Sequence, residues 1–315
     1  MKLHLLIDQY VAFRKALGER FRTNEVILKA FDHAIGNEAD VTDVQTGRVN
    51  AFLAGTGPIT SSWHVRHNAL LGFYRYALSR GYVAESPLPT TMPKRPPPFV
   101  PYIYSHEELR RLLQAVSTYQ KNRSCLKPYV IHALLLLLYG TGLRLREALR
   151  LTLADADLDQ AVLTIHETKF FKTRLVPLGS QLNQEMVCYA ARRRQEGCSQ
   201  NQDAAFFTGR QGKPVNMSTV ENIFQRIRKK AGVERTDGAR YQPRLHDLRH
   251  SFAVHRLTAW YREGADVQKL LPQLSVYLGH AYLAATSVYL SMTPELLHEA
   301  SVRFERYAWK GASHD

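Results

Sequence analysis

The residues best equipped for chemistry lie in three short runs. These are Thr141-Gly142-Leu143-Arg144-Leu145-Arg146-Glu147, His246-Asp247-Leu248-Arg249-His250, and Leu278-Gly279-His280 with Tyr289 nine residues beyond. Arg146 aside, they supply two arginines, two or three imidazoles and a phenol, the equipment for attacking a phosphodiester without a metal. Such an attack needs a nucleophile, a counter-charge for the non-bridging oxygens and a proton donor for the departing ribose oxygen. Arginine suits the counter-charge because its planar fork stays charged and bonds two oxygens at once, so Arg144 and Arg249 form the expected oxyanion clamp. Tyr289 is the expected nucleophile; an ordinary phenol with a pKa of about 10 is protonated at neutral pH and needs a base or a positive field. His246, one turn before His250, supplies that base or holds a phosphate oxygen.

Plainer readings stand beside these. Imidazoles at i and i+4 can bind zinc, but Arg244 and Arg249 would put cations beside the ion and no carboxylate triad is evident, so no metal is expected. Either histidine can instead be a core or capping residue, and Arg144 can simply pair with Glu147 one turn on. Glu147 and His250 are expected to fix geometry rather than react.

Composition agrees with a polyanionic partner. Lysine plus arginine is 42 against 28 acids, a net charge of +14, and releasing counterions from nucleic acid rewards such an excess. Through Arg95 there are 12 basic and 8 acidic residues, and 30 against 20 follow, so both parts are basic. Cys125, Cys188 and Cys198 have no metal-ligand spacing and cannot all pair within one chain, which is simplest in a reducing cytoplasm. The apolar run from Ala133 to Tyr139 is far short of the roughly 20 residues a membrane span needs, and no signal-peptide core precedes it. No glycine-rich phosphate loop supports nucleotide-driven chemistry, and no cofactor is expected.

The elements that must position these residues follow from periodicity. Leu3 to Leu17, Val26 to Ala34, Val44 to Leu53 and Ser61 to Arg80 predict four helices, the second facing inward through Val26, Ile27, Ala30, Phe31 and Ala34. The fourth joins Val65, Leu70, Leu71, Phe73, Tyr74 and Leu78 to Arg66, His67, Arg75 and Arg80, a face that can pack on one side and meet phosphates on the other. Residues 1–86 are read as a helical domain, the proline-rich 87–101 as a linker and 102–315 as a second domain. There Ser105 to Glu108 predicts a capping box and Pro128 the first turn of an apolar helix ending at Gly140-Thr141-Gly142. After a turn-rich stretch at 155–159, Ala161 to Glu167 and Arg174 to Pro177 predict a hairpin with a basic tip holding Lys169 and Lys172. Leu182 to Gln195 and Ser218 to Ala231 predict helices, Ala205 to Thr208 a short strand, and nearly everything from Leu245 onward helix, ending in a face of Leu296, Leu297, Ala300, Phe304 and Tyr307. The fold class is mainly α with a small antiparallel sheet.

In residue type, order and spacing, the Thr-Gly-Leu-Arg-x-x-Glu run, His246-x-x-Arg249-His250, Leu278-Gly279-His280 and Tyr289 resemble the tyrosine recombinases of the phage-integrase and Xer-like kind. The likeness covers most of 102 to 308, and the four-helix segment looks like that family's core-binding domain. It implies that Arg144, Lys169, His246, Arg249 and His280 surround a scissile phosphate that Tyr289 attacks, forming a 3′-phosphotyrosyl bond, with strand exchange through a Holliday junction. It also implies double-stranded DNA as partner, clamped between the two domains, a tetramer on DNA linked by the C-terminal tail, and accessory or partner recombinases. The family's hairpin usually carries glycines around its lysine, whereas this chain has Thr168-Lys169-Phe170-Phe171-Lys172. The two lysines therefore compete: alignment on Lys172-Thr173-Arg174-Leu175-Val176-Pro177 favours Lys169 as the general acid, with Lys172 and Arg174 at the DNA backbone, but a mobile hairpin tip can deliver either amine to the leaving oxygen. Arg66 and Arg75 are further expected DNA contacts. Two other readings share the fold: a type IB topoisomerase-like enzyme that relaxes DNA, and a catalytically idle DNA-binding regulator. Target sequence and direction of exchange are not legible.

Overall fold

The computed structural model describes the chain apart from residues 37, 58, 97–98, 119–125, 167–172, 240, 281 and 312–315, with Ser291 and 303–311 described by backbone alone. It divides into two compact units, 1–99 and 100–315.

The first unit consists of α1 (Leu3–Ala16), α2 (Arg22–Ile35), α3 (Thr46–Ala54) and α4 (Ser61–Ser79). Leu6, Ile7, Leu28, Phe31, Leu53, Leu70, Phe73 and Tyr74 form its core. α2 is rotated from the expected stripe: Leu28, Phe31 and Ile35 are buried and Val26 is 68% exposed. Two apolar stripes overlap in this segment, and the neighbouring helices take the one with Leu28 and Ile35. α4 departs in the same sense. His67 turns inward and stacks on Trp63 at 5.1 Å, while Val65 and Leu78 face out, so His67 does not join the exposed basic face expected of this helix.

The second unit begins with α5 (His106–Val116), whose expected capping box forms between Ser105 and Glu108. The apolar α6 (Pro128–Thr141) follows and, with α8 (Ser180–Gln195) and α9 (Met217–Lys230), encloses the main core of Leu134, Leu137, Leu138, Met186, Tyr189, Phe224 and Ile227. A three-stranded antiparallel sheet, β1 (Ala156–Asp157), β2 (Val162–Ile165) and β3 (Arg174–Pro177), adds Leu163, Ile165 and Val176. β1 lies in the stretch read as turns; its two residues pair with Leu163 and Val162, too short a run for alternation to be visible. The expected strand at Ala205 to Thr208 reduces to isolated bridges, Thr152 with Ala205 and Thr208 with Pro214. Each end meets a different partner, so no ladder propagates, and the buried Phe206 and Phe207 anchor the segment.

A second cluster gathers α10 (Asp247–Arg262), α11 (Val267–Leu278) and Leu296 of α13 (Pro294–Gly311) around Tyr289. Between α11 and α13 lie the short α12 (Ala284–Ser287) and the 3-10 turn Val288–Ser291. α13 packs on α10 of its own chain, with Arg262 paired to Glu295 and, at 2.8 Å, to Glu299; Leu297 is exposed, not on the packed face. Among the described residues no helix is long and apolar enough to cross a membrane.

Candidate active site

The site is assembled by helix ends. α6 stops at Thr141 because Gly142 takes a left-handed conformation, φ 63° and ψ 20°. A Cβ at Gly142 would lie 2.6 Å from Phe252 and 2.8 Å from Leu278, so glycine is required by space as well as by conformation. Two residues later Arg144 sits at the N-terminal cap of α7 (Leu145–Ala148), its backbone N–H donating to Glu147 Oε2 at 3.0 Å. Its Nη1 donates to Glu147 Oε1 at 2.8 Å and its Nη2 to the Gly279 carbonyl at 3.4 Å. Pairing with Glu147 and membership of the site are therefore compatible, not alternatives.

α10 brings His246, Arg249 and His250. Arg249 is 2% exposed, and its Nη1 and Nη2 donate to the carbonyls of Gly142 and Leu278, both at 2.6 Å. Burial and the neighbouring Arg144 charge lower its pKa to about 10, which still leaves it cationic at neutral pH. The rings of His246 and His250 are 5.1 Å apart, and His250 is 5.6 Å from the Tyr289 ring. Burial and His246 lower His250 to about 4, and its buried Nδ1 has no hydrogen-bond partner among the described residues. His246 keeps an edge open to solvent, yet desolvation by the surrounding protein and the charges of Arg249 and Arg244 lower its pKa as well.

The end of α11 presents His280. Gly279 caps the helix at φ 66°, the His280 N–H donates to the Ser275 carbonyl at 2.9 Å, and His280 Nδ1 lies 2.7 Å from Thr286 Oγ1. With Nδ1 engaged, Nε2 is the nitrogen left for a ligand. Burial, then Arg249 and Arg144, lower His280 to about 4. Tyr289, in the 3-10 turn, is 3% exposed and its ring stacks on that of His280 at 6.1 Å. Burial raises its pKa; the charge and hydrogen bond of Arg249, and the charge of Arg144, oppose that rise. Two cations, neutral imidazoles and a protonated phenol thus share one small volume, an arrangement that can neutralise a phosphate and add an oxygen nucleophile to it.

Lys169 and Lys172 lie outside the described residues. Arg174 departs from its expected place on DNA. It is 8% exposed, and its guanidinium donates to both oxygens of Glu147 and to the Tyr277 carbonyl. A buried carboxylate outcompetes solvent for it. Arg66 donates to the carbonyls of Phe52 and Leu53, finishing α3, and Arg75 is exposed. Sequence reasoning missed Thr286, which carries no motif signal, and the carbonyls of Gly142, Leu278 and Gly279, which no side-chain pattern reports. It also passed over a cleft of about 530 Å³ beside His246, bordered by Gln225, Arg228, Gln242 and Arg244.

Comparison with known proteins places the chain in a family. Residues 103–295 match the model of the phage integrase family. The chain is 36% identical over 304 residues to the "Putative integrase/recombinase y4rB" of Sinorhizobium fredii, covering 95% of this chain and 96% of that protein. It is 32% identical over 232 residues to the tyrosine recombinase XerC of Lacticaseibacillus casei, covering 72% and 70% of the two chains. A solved lambda integrase tetramer bound to a Holliday junction shares the fold, with a TM-score of 0.65 at 17% identity over 92% of this chain and 77% of that one. The chain belongs to the phage integrase family, and it is a tyrosine-type site-specific recombinase.

Proposed function

We propose that Tyr289 attacks a DNA phosphate held by Arg144, Arg249, His280 and His246, as the cleavage step of site-specific recombination. The observation that carries this reading is the convergence of Arg249, His250, His280 and Tyr289, from three separate helix ends, with Arg144 hydrogen-bonded to the same turn as His280. The Tyr289 oxygen bonds to phosphorus, the bond to the 5′ oxygen breaks, and the product is a 3′-phosphotyrosyl link plus a free 5′-hydroxyl. The phenolic proton passes to the neutral His246 or to a phosphate oxygen, and Lys169 protonates the leaving oxygen, with Lys172 at the backbone. Attack by a partner's 5′-hydroxyl reverses the step and exchanges strands, so the bond energy is conserved and no cofactor is consumed.

Double-stranded DNA is the proposed partner, supported by the +14 charge, with Arg75 and the exposed part of Arg66 as backbone contacts of the first unit. A tetramer on DNA is proposed by analogy with the lambda integrase assembly, with accessory or partner recombinases in attendance. A mobile element in the cytoplasm is the proposed setting, supported by the integrase name of the relative y4rB.

Incubation with a nicked duplex that traps the cleaved state tests the reading. The protein selects that duplex from a random-sequence pool, and the adduct is mapped by mass spectrometry. A covalent complex on Tyr289, absent from Tyr289→Phe, is expected; a complex that persists in Tyr289→Phe would refute the assignment.

A further inference from the structure

We propose that Arg174 is a positioning residue that holds Arg144 through Glu147 and so couples the β2–β3 hairpin to the phosphate-binding arginine. This rests on the recombinase reading above. Arg174 opens β3 and pairs with Ile165 at the end of β2, so it stands at the base of the hairpin whose connecting segment contains both candidate lysines.

Glu147 is shared atom by atom. Its Oε2 accepts from Arg174 Nη2 at 2.8 Å and from the Arg144 backbone N–H at 3.0 Å. Its Oε1 accepts from Arg144 Nη1 at 2.8 Å and from Arg174 Nη1 at 3.3 Å. One carboxylate therefore sets the direction of two guanidiniums, and the side chains of Arg174 and Glu147 are 7% and 11% exposed, out of reach of the screening that weakens surface pairs. Burial pushes the Glu147 carboxyl up, but Arg174, followed by Arg144, outweighs it and keeps the pKa below the usual range. Without Arg174 the buried carboxylate keeps, among the described residues, only the more exposed Arg144 as a partner.

The third donor extends the coupling. Arg174 Nε bonds the Tyr277 carbonyl at 2.9 Å, and a Cβ at Gly279 would lie 2.6 Å from Arg174 Nη1. The guanidinium thus fills the space beneath the turn that presents His280, whose Gly279 carbonyl also receives Arg144. Movement of the hairpin base is felt at the first arginine and at the His280 turn together.

The test uses full-length protein and the nicked duplex described above, made either with the ordinary scissile phosphate or with a neutral methylphosphonate at that position. Arg174→Lys keeps the charge but cannot bond both Glu147 oxygens and the Tyr277 carbonyl at once. Covalent-complex formation should slow about 100-fold on the phosphate, but less than about fivefold on the methylphosphonate, because the lost function is stabilisation of phosphate charge. Arg144→Lys should show the same pattern. A defect confined to folding slows both substrates equally, so equal slowing overturns the proposal, as does an unchanged rate on the phosphate. Should Arg174→Lys fold poorly, Glu147→Gln breaks the same coupling and must show the same selectivity for the charged phosphate. Failure of the wild-type chain to form any tyrosyl adduct would overturn the recombinase reading and this inference together; equal slowing in the variants overturns this inference alone.

Discussion

Arg249 donates a 2.6 Å hydrogen bond to the carbonyl of Gly142, the residue that ends α6. A buried cation is thereby held by backbone dipoles, because its Nη2 also donates to the Leu278 carbonyl at 2.6 Å. Carbonyls orient the guanidinium without neutralising it, so the charge remains available for phosphate. Arg249→Lys should keep a cation but lose the fork that spans both carbonyls, and adduct formation on the nicked duplex should fall by about a thousandfold. Gel quantification of covalent complex checks this; a loss under tenfold would contradict the assigned geometry.

Gly142→Ala should destabilise the protein by about 2 to 4 kcal/mol, combining a left-handed backbone with overpacking. The added methyl meets Phe252 and Leu278 at 2.6 and 2.8 Å. Urea denaturation followed by circular dichroism measures it, and an unchanged midpoint would exclude the tight junction of α6 with α10 and α11.

Thr286→Val removes the group 2.7 Å from His280 Nδ1 while keeping its shape. The imidazole then loses the contact that orients it, and cleavage should slow roughly tenfold with DNA affinity unchanged. Single-turnover rates alongside equilibrium binding separate the two quantities.

Acid should weaken the second unit within a defined window. His250, His255 and His280 are each lowered to about 4, chiefly by burial, whereas unfolded imidazoles titrate at about 6.5. The unfolded chain binds protons first, so their stabilisation is complete above about pH 6.5 and is lost as pH falls toward 4. Urea midpoints measured between pH 7.5 and 4 should decline through that range, and His250→Phe should flatten part of the slope.

DNA affinity should fall steeply with salt, given a net charge of +14. If six or more phosphates are neutralised, raising salt from 50 to 200 mM weakens binding by about a thousandfold or more. Fluorescence anisotropy on the selected duplex yields the log-log slope, and a flat one would contradict backbone-dominated binding.

Local chemistry made much of this protein legible in one dimension. The capping box at Ser105, the proline that starts α6 and the glycine that stops it depend on neighbours within a few residues, and they stand where residue type predicts. The Arg144, Arg249, His280 and Tyr289 runs could be read because each carries its chemistry in its own side chain. What the tertiary structure alone decided is which groups those side chains meet. Arg174 looks like any basic hairpin residue until Glu147, 27 residues away, claims it, and His67 looks like part of a basic face until Trp63 stacks on it. The α2 stripe was ambiguous for the same reason, because two phases of one helix are chosen only by what packs against them. Residue type determines what a group is able to do; burial and partners distant in sequence determine which of those things it does.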